Sequence, residues 1–183
     1  GILTPDETLV LNLNGGTLRL TTNATISGWT AINVLANGAV IDTMDHQVVF
    51  GQPLLPGDAF NGGLVKLGGG SLILPQTNSY RGVTTINGGT LVVTPAHQAT
   101  NGVFVSDGAT YCISLPGAVE TVTNGFLTLG EGSTTLRFEL GTNGNPTVPL
   151  LVTGSITNHG SLNVALGGST ARFTTGAFPL VKY

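Results

Sequence analysis

Charge is what this chain has least of. Only 8% of its 183 residues are charged, six Lys or Arg and nine Asp or Glu, for a net charge of −3. A globular chain usually carries about a quarter, so Thr, Asn and Ser must supply most of the polar surface here. The cations Arg19, Lys66, Arg81, Arg137, Arg172 and Lys182 stand singly along the chain. They form no basic patch that could neutralise a run of phosphates, which excludes nucleic acid as a partner. No apolar run approaches the length of a membrane-spanning helix, so no membrane insertion by this segment is expected. Cysteine occurs once, as Cys112, so an internal disulfide cannot form. In the alternating run Tyr111-Cys112-Ile113-Ser114 it reads as a buried, inert thiol. There is no signal peptide at Gly1-Ile2-Leu3-Thr4, and the chain is expected to be a fragment or processed product of a longer protein.

Glycine and alternation are what the chain does have. It holds 28 Gly and 40% hydrophobic residues, a balance opposite to the disorder signature. Short runs rich in β-branched residues alternate apolar with polar, and Gly, Asn or Pro punctuates each one. Residues 8–13 alternate and stop at Asn14-Gly15-Gly16. Further runs follow at 17–20, 25–27, 31–35, 39–42 and 47–50, and then residues 52–61, with Pro53, Pro56 and Gly57, read as a loop and a bend. In the second half, runs at 102–105, 110–115, 121–123, 126–129, 134–140, 150–153, 155–157, 161–166, 171–174 and 178–183 continue the pattern. The long Gly/Asn/Pro loop 141–149 divides them. Asn-Gly-Gly-Thr-Leu occurs at 14–18 and again at 87–91, an internal repeat.

The most regular stretch is 62–93. Leu64-Val65-Lys66-Leu67 and Ser71-Leu72-Ile73-Leu74 flank Gly68-Gly69-Gly70. A polar loop, 75–82, leads to Val83-Thr84-Thr85-Ile86, and Asn87-Gly88-Gly89 turns the chain into Thr90-Leu91-Val92-Val93. Here Gly62, Gly63, Leu64, Lys66, Gly68, Gly70, Leu72, Leu74, Asn78, Tyr80, Gly82, Thr84, Ile86, Asn87, Gly89, Thr90 and Leu91 fall in one pattern. On these residues the stretch resembles the autotransporter-associated β-strand repeat of secreted passenger domains and large bacterial surface proteins. The resemblance implies a parallel β-helix. It implies no chemistry, because that motif is structural and has no catalytic residues to carry over.

The fold expected is therefore all-β, a right-handed parallel β-helix over residues 1–183 with the family repeat at 62–93. Its length suggests about seven to nine rungs at ~20 residues each. A sandwich or jelly roll also uses short strands, but these turns are too short for Greek-key connections. Leu64, Leu72, Leu74, Ile86, Leu91 and Val93 would point inward and stack from rung to rung. The end rungs, lacking a neighbour to cover them, are the places expected to fray or self-associate.

Candidate chemistry is sparse. His46, His97 and His159 lie far apart in turn-like settings and read as solvated loop histidines. Asp42, Asp45 and His46 form one dense polar turn, short of the oxygens a calcium site needs. Acidic residues are scattered, with Asp6-Glu7 and Asp42/Asp45 near each other, though Asp107 and Glu131 could meet on one face of a coil. Lys66 and Arg81 belong to the repeat and read as structural or solvent-facing. Tyr80 reads as packed over its own loop, and Trp29 as a cover for an apolar end, ahead of roles as sugar platforms. No catalytic residue, metal ligand or cofactor is expected.

Three functional readings follow. The first is a non-enzymatic structural or adhesive domain, secreted or on a bacterial cell surface, displaying loops 52–61 and 141–149. Its partners would be neighbouring repeat domains of the parent chain and surface glycans or host and matrix proteins. The second is a self-assembling extracellular fibre subunit, joined through its end rungs. The third is a polysaccharide-binding or polysaccharide-cleaving β-helix.

Overall fold

In the computed structural model the chain is a coil of short parallel strands, described for residues 8–57, 59–60, 62–98, 101–117, 120–141, 145–168, 177 and 179–183. No helix occurs among the described residues. The first circuit is β1 (Val10–Leu13), β2 (Thr17–Arg19) and β3 (Ala24–Ile26). The second is β4 (Ala31–Val34), β5 (Ala39–Asp42) and β6 (Gln47–Phe50), and the third β7 (Leu54–Pro56), β8 (Leu64–Leu67) and β9 (Ser71–Leu74). Two circuits then have two strands each: β10 (Thr84–Ile86) with β11 (Thr90–Val93), and β12 (Val103–Val105) with β13 (Thr110–Ser114). Three-strand circuits return with β14 (Val122–Asn124), β15 (Leu127–Leu129) and β16 (Ser133–Glu139), then β17 (Leu151–Thr153), β18 (Ile156–Asn158) and β19 (Ser161–Gly167). β20 (Val181–Lys182) is the last strand.

Every strand pairs with its counterpart one circuit away, which stacks them into faces. One seven-stranded face runs β2-β5-β8-β10-β12-β15-β18, and a second runs β3-β6-β9-β11-β13-β16-β19. The third face is broken. β1-β4-β7 form its first part and β14-β17-β20 its last. Between them the chain crosses this face as residues 75–83 and again after β11, where the described residues 94–98 and 101–102 are likewise outside any strand.

Alternation explains the core. Because strand side chains point to opposite faces in turn, parallel in-register pairing aligns each inward residue with the next rung's. On the first long face Ile41, Lys66, Ile86, Val105 and Leu129 form one inward column. On the second, Leu72, Leu91, Tyr111 and Leu136 form another, and Leu74, Val93, Ile113 and Phe138 a third. All are buried. Burying one Leu or Ile side chain is worth roughly 1.5–3 kcal/mol, so these columns hold the coil together.

Parallel β-helix architecture is thus present, with about six turns and seven strands in each long face. That count sits at or just below the lower end of the seven to nine rungs expected. The step between rungs is uneven: Thr84 pairs with Val103, 19 residues on, whereas Leu127 pairs with Ile156, 29 residues on. Longer steps consume chain that a uniform repeat would have turned into rungs.

Two sequence expectations need correction. Residues 52–61 are not simply a loop, because Leu54–Pro56 is a strand paired in parallel with β4, and Leu54 is buried. The prolines bounding it obscure three residues that need only one ladder edge. The Asn-Gly-Gly-Thr-Leu repeat, moreover, is a repeat of a corner and not of a rung. At 14–18 it leads into β2 on the first long face, and at 87–91 it leads into β11 on the second. The strand expected at 171–174 and the pair Asp6-Glu7 lie outside the described residues, as do parts of the loop 141–149 and of the run 178–183.

Candidate functional site

Lys66 occupies an inward position in a column otherwise filled by aliphatic residues, and it is fully buried. Its four-carbon stem fills the column as a Leu would. Its ammonium reaches the corner between the two long faces and donates to the carbonyls of Leu67 (2.9 Å), Gly68 (2.8 Å) and Gly88 (3.0 Å). An ammonium has three donors, and each finds an acceptor. Burial pushes the Lys66 pKa down to about 8, partly countered by the Asp42 charge. The corner itself depends on glycine. Gly68 has φ +81°, and a Cβ there would lie 2.4 Å from the Met44 nitrogen, while Gly89 has φ +61° and would place one 2.2 Å from the Gly70 carbonyl oxygen. The site is a staple between two rungs. An ammonium so enclosed has no path to a substrate.

The second constellation lies where the third face is broken. Asn78 is buried, and its Oδ1 accepts from the Leu54 N–H of β7 at 2.9 Å. Ser79 N–H donates to the Leu54 carbonyl (2.9 Å), and Gln98 N–H donates to the Asn78 carbonyl (2.8 Å). Asn78 therefore passes the ladder from the last strand of the face to the loops of the next two rungs. Beside it Tyr80 is buried, its hydroxyl 2.7 Å from Thr84 Oγ1, and burial raises its pKa above the usual phenol value. His97 meets the Tyr80 ring edge-on with centroids 5.7 Å apart.

His97 is a correction to the solvated-loop reading. Its exposure is 4%, Nδ1 is buried without a hydrogen-bond partner, and burial lowers its pKa to about 4. His46 is half-buried and His159 exposed, so the three histidines do not converge. The other repeat residues serve the scaffold. Leu64, Leu72, Leu74, Ile86 and Leu91 are core, and Thr84 holds Tyr80. Gly82 N–H donates to the Gly62 carbonyl, Ala39 N–H to that of Gly63, and Thr90 N–H to that of Gly70. Asn87 N–H donates to the Lys66 carbonyl, and Asn87 Oδ1 accepts from Ser106 Oγ.

The polar turn at 42–46 is likewise structural. Asp42 Oδ2 pairs with Arg19 Nε at 2.8 Å, and Oδ1 accepts from the Met44 N–H at 2.9 Å. That bond from Met44, then the Arg19 partner, outweigh desolvation and hold the Asp42 carboxyl below its ordinary pKa. Met44 takes a positive φ of 47° in this turn. Asp107 and Glu131 do line one shallow cleft with Ser106 and Gly130, but Asp107 Oδ1 is already held by the Gly132 N–H at 2.7 Å. No group of three metal-ligating side chains occurs among the described residues. Cys112 is buried, with its pKa pushed up to about 11 by desolvation, and is inert in that state. Trp29 packs against the core of the first rungs, and its backbone N–H donates to Gln52 Oε1.

Two further clefts open on the broken third face. One, of about 320 Å³, is lined by Pro75, Thr94, Pro95, Pro116 and Glu120 among others. The other, of about 310 Å³, is lined by Ser79, Tyr80, Arg81, Gln98 and Asn101. Both are lined by residues outside the strands, and in the second only Tyr80 belongs to the core.

With the staple, the relay and the broken face placed, the family match has a structural meaning. Residues 64–93 match the passenger-associated-transport-repeat. The matched segment begins at β8 and ends at β11, so it spans two consecutive rungs on both long faces together with the loop that carries Asn78 and Tyr80. The repeat therefore contains the whole Lys66 staple and Asn78 itself, while the backbone groups that Asn78 joins, at Leu54 and Gln98, lie on the flanking rungs. No curated protein and no solved structure matches the chain. The repeat and the β-solenoid together fit an autotransporter passenger domain.

Proposed function

We propose that this chain is a non-enzymatic stretch of a secreted or cell-surface passenger, acting as a stiff stalk that carries contact surfaces away from the cell. One observation carries the reading. Two polar residues of the repeat pattern, Lys66 and Asn78, are turned inward onto backbone groups, Gly88 and Leu54 of neighbouring rungs among them. Their chemistry is spent on joining rungs, which is what a stalk under load requires. Two of the other arginines pair locally, Arg19 with Asp42 and Arg137 with Glu139. Contacts with surface glycans or matrix proteins would be made by the loops crossing the third face, since 52–61 is partly strand. The test is antibody labelling of intact source cells, before and after protease shaving. Surface signal that shaving removes supports the stalk; signal found only after lysis overturns it.

A second reading, a self-associating fibre subunit, is favoured by the last rung. In β19, Val164 and Leu166 continue the inward columns of Leu136 and Phe138, yet they are 51% and 41% exposed. Apolar side chains in such positions are suited to cover by another rung. Light scattering over a concentration series decides this reading: growing particles support it and a constant monomer mass removes it.

A further inference from the structure

The broken third face holds the one described arginine that is exposed and has no carboxylate partner. Arg19 and Arg137 are each paired with an acid. Arg81 is exposed and lines the cleft of about 310 Å³ together with Ser79, Gln98 and Asn101. The described backbone on either side of the cleft is tied by hydrogen bonds. Gln98 N–H is held by the Asn78 carbonyl, Ser79 N–H by the Leu54 carbonyl, and Asn101 Nδ2 donates to the Arg81 carbonyl at 3.2 Å. Such ties between consecutive rungs preorganise the side chains, which lowers the cost of binding.

The geometry points to a binding site for an acidic sugar, a hexuronate unit within a polysaccharide, with Arg81 holding the carboxylate. The chemistry of the lining selects this class. A guanidinium presents two parallel donors that match one carboxylate. The Gln98 and Asn101 side-chain amides and the Ser79 hydroxyl each donate and accept, as adjacent sugar hydroxyls require. The aromatic ring here, that of Tyr80, is buried, so the cleft offers no apolar platform to a lipid or an aromatic ligand. Arg81 is the one cation in the lining, which suits a ligand presenting a single carboxylate to the cleft and not a cluster of phosphates. The volume stands at the lower end of ordinary ligand sites and suits one sugar ring in a chain that continues into solvent. This inference deepens the stalk reading and rests on it only for access to extracellular glycans.

The experiment is an NMR titration of the purified chain with a 1,4-linked glucuronate oligomer, its carboxyl-reduced counterpart, and acetate at equal carboxylate concentration. The glucuronate oligomer should shift the amides of Ser79, Arg81, Gln98 and Asn101. Losing the charged hydrogen bond in Arg81→Gln should weaken binding about tenfold, with a smaller loss in Arg81→Lys. Removing the carboxylate from the ligand should also weaken binding about tenfold. The proposal is overturned if the reduced oligomer or acetate binds as well, if Arg81→Gln binds like the parent, or if nothing shifts by about 10 mM. Arg81 is exposed, so an unchanged melting temperature in both variants verifies that the fold is intact. Surface labelling of cells reads the stalk separately, so failure of one reading is distinguishable from failure of the other.

Discussion

The side-chain oxygen of Asn78 accepts the Leu54 N–H at 2.9 Å, and this bond, beside the one from the Ser79 N–H to the Leu54 carbonyl, carries the hydrogen-bond ladder of the third face from its last N-terminal strand into the loops beyond. Asn78 Nδ2 also donates to the Gln76 carbonyl, 2.6 Å away. Replacing Asn78 with Ala would orphan the Leu54 N–H in a buried setting, and each such group costs about 1–3 kcal/mol. Asn78→Ala is therefore expected to lower stability by about 2–3 kcal/mol in urea denaturation. Asn78→Asp, which keeps the acceptor but loses the donor, should cost less at a pH where the new carboxyl is protonated than where it is ionised and buried. Equal stability of Asn78→Ala and the parent would remove the relay.

Lys66 makes a prediction that depends on pH. Its pKa is about 8 in the folded chain against 10.5 for a free lysine, so between these values the unfolded chain binds more protons. Stability must then rise as pH increases. From pH 8 to pH 9 the gain should be about 1 kcal/mol. Above pH 9 it is opposed by Cys112, whose pKa is raised from 9.0 to about 11, and by the buried tyrosines. The useful window is therefore pH 8–9. Lys66→Met keeps the stem but strands the Gly68 and Gly88 carbonyls, the Leu67 carbonyl keeping its bond from the Thr43 N–H, so it should lose about 2 kcal/mol at pH 7 and abolish the rise. Denaturation midpoints of the two proteins at pH 8 and 9 check both points.

How far the sequence reaches is clear from particular residues. Strands such as Ala39–Asp42 and Gln47–Phe50 were legible to the residue because alternation and glycine corners are local signals. The columns of Leu72, Leu74, Ile86 and Leu91 followed from the same alternation. Leu54–Pro56 was not legible, since the prolines around it mimic a loop. The Asn78–Leu54 bond was hidden for another reason: it joins residues 24 apart through a side chain. His97 follows Pro95-Ala96 in a turn and looks solvated, yet Tyr80, on the preceding loop, packs against it. The cleft at Arg81 was equally invisible, because it exists only where two successive loops replace strands on one face.

The burial of His97 makes stability sensitive to acid. The folded pKa of about 4 lies below the ordinary 6.5, so between these values the unfolded chain is the better proton acceptor. Stability is full above pH 6.5 and is lost as pH falls toward 4. Between pH 6.5 and pH 5 the loss should be about 1.5 kcal/mol. Asp42, held below its ordinary pKa, stays ionised over that interval, and Tyr80, the ring against His97, stays neutral. His97→Gln, which does not titrate, should flatten the profile there. An equally steep loss in His97→Gln would assign the acid sensitivity to other groups.

The exposed end of the inward columns yields the last prediction. Val164 pairs with Leu136 and Leu166 with Phe138, so both side chains point along the core axis side of β19 while remaining accessible. A charged residue at either position costs the folded monomer little, because no rung covers it among the described residues, but it would be buried unpaired if a second copy stacked there. Val164→Lys should therefore leave the melting temperature nearly unchanged and suppress any concentration-dependent growth seen by light scattering. If growth persists in Val164→Lys, the association runs through another surface, and the long faces or the loops of the broken third face become the place to look.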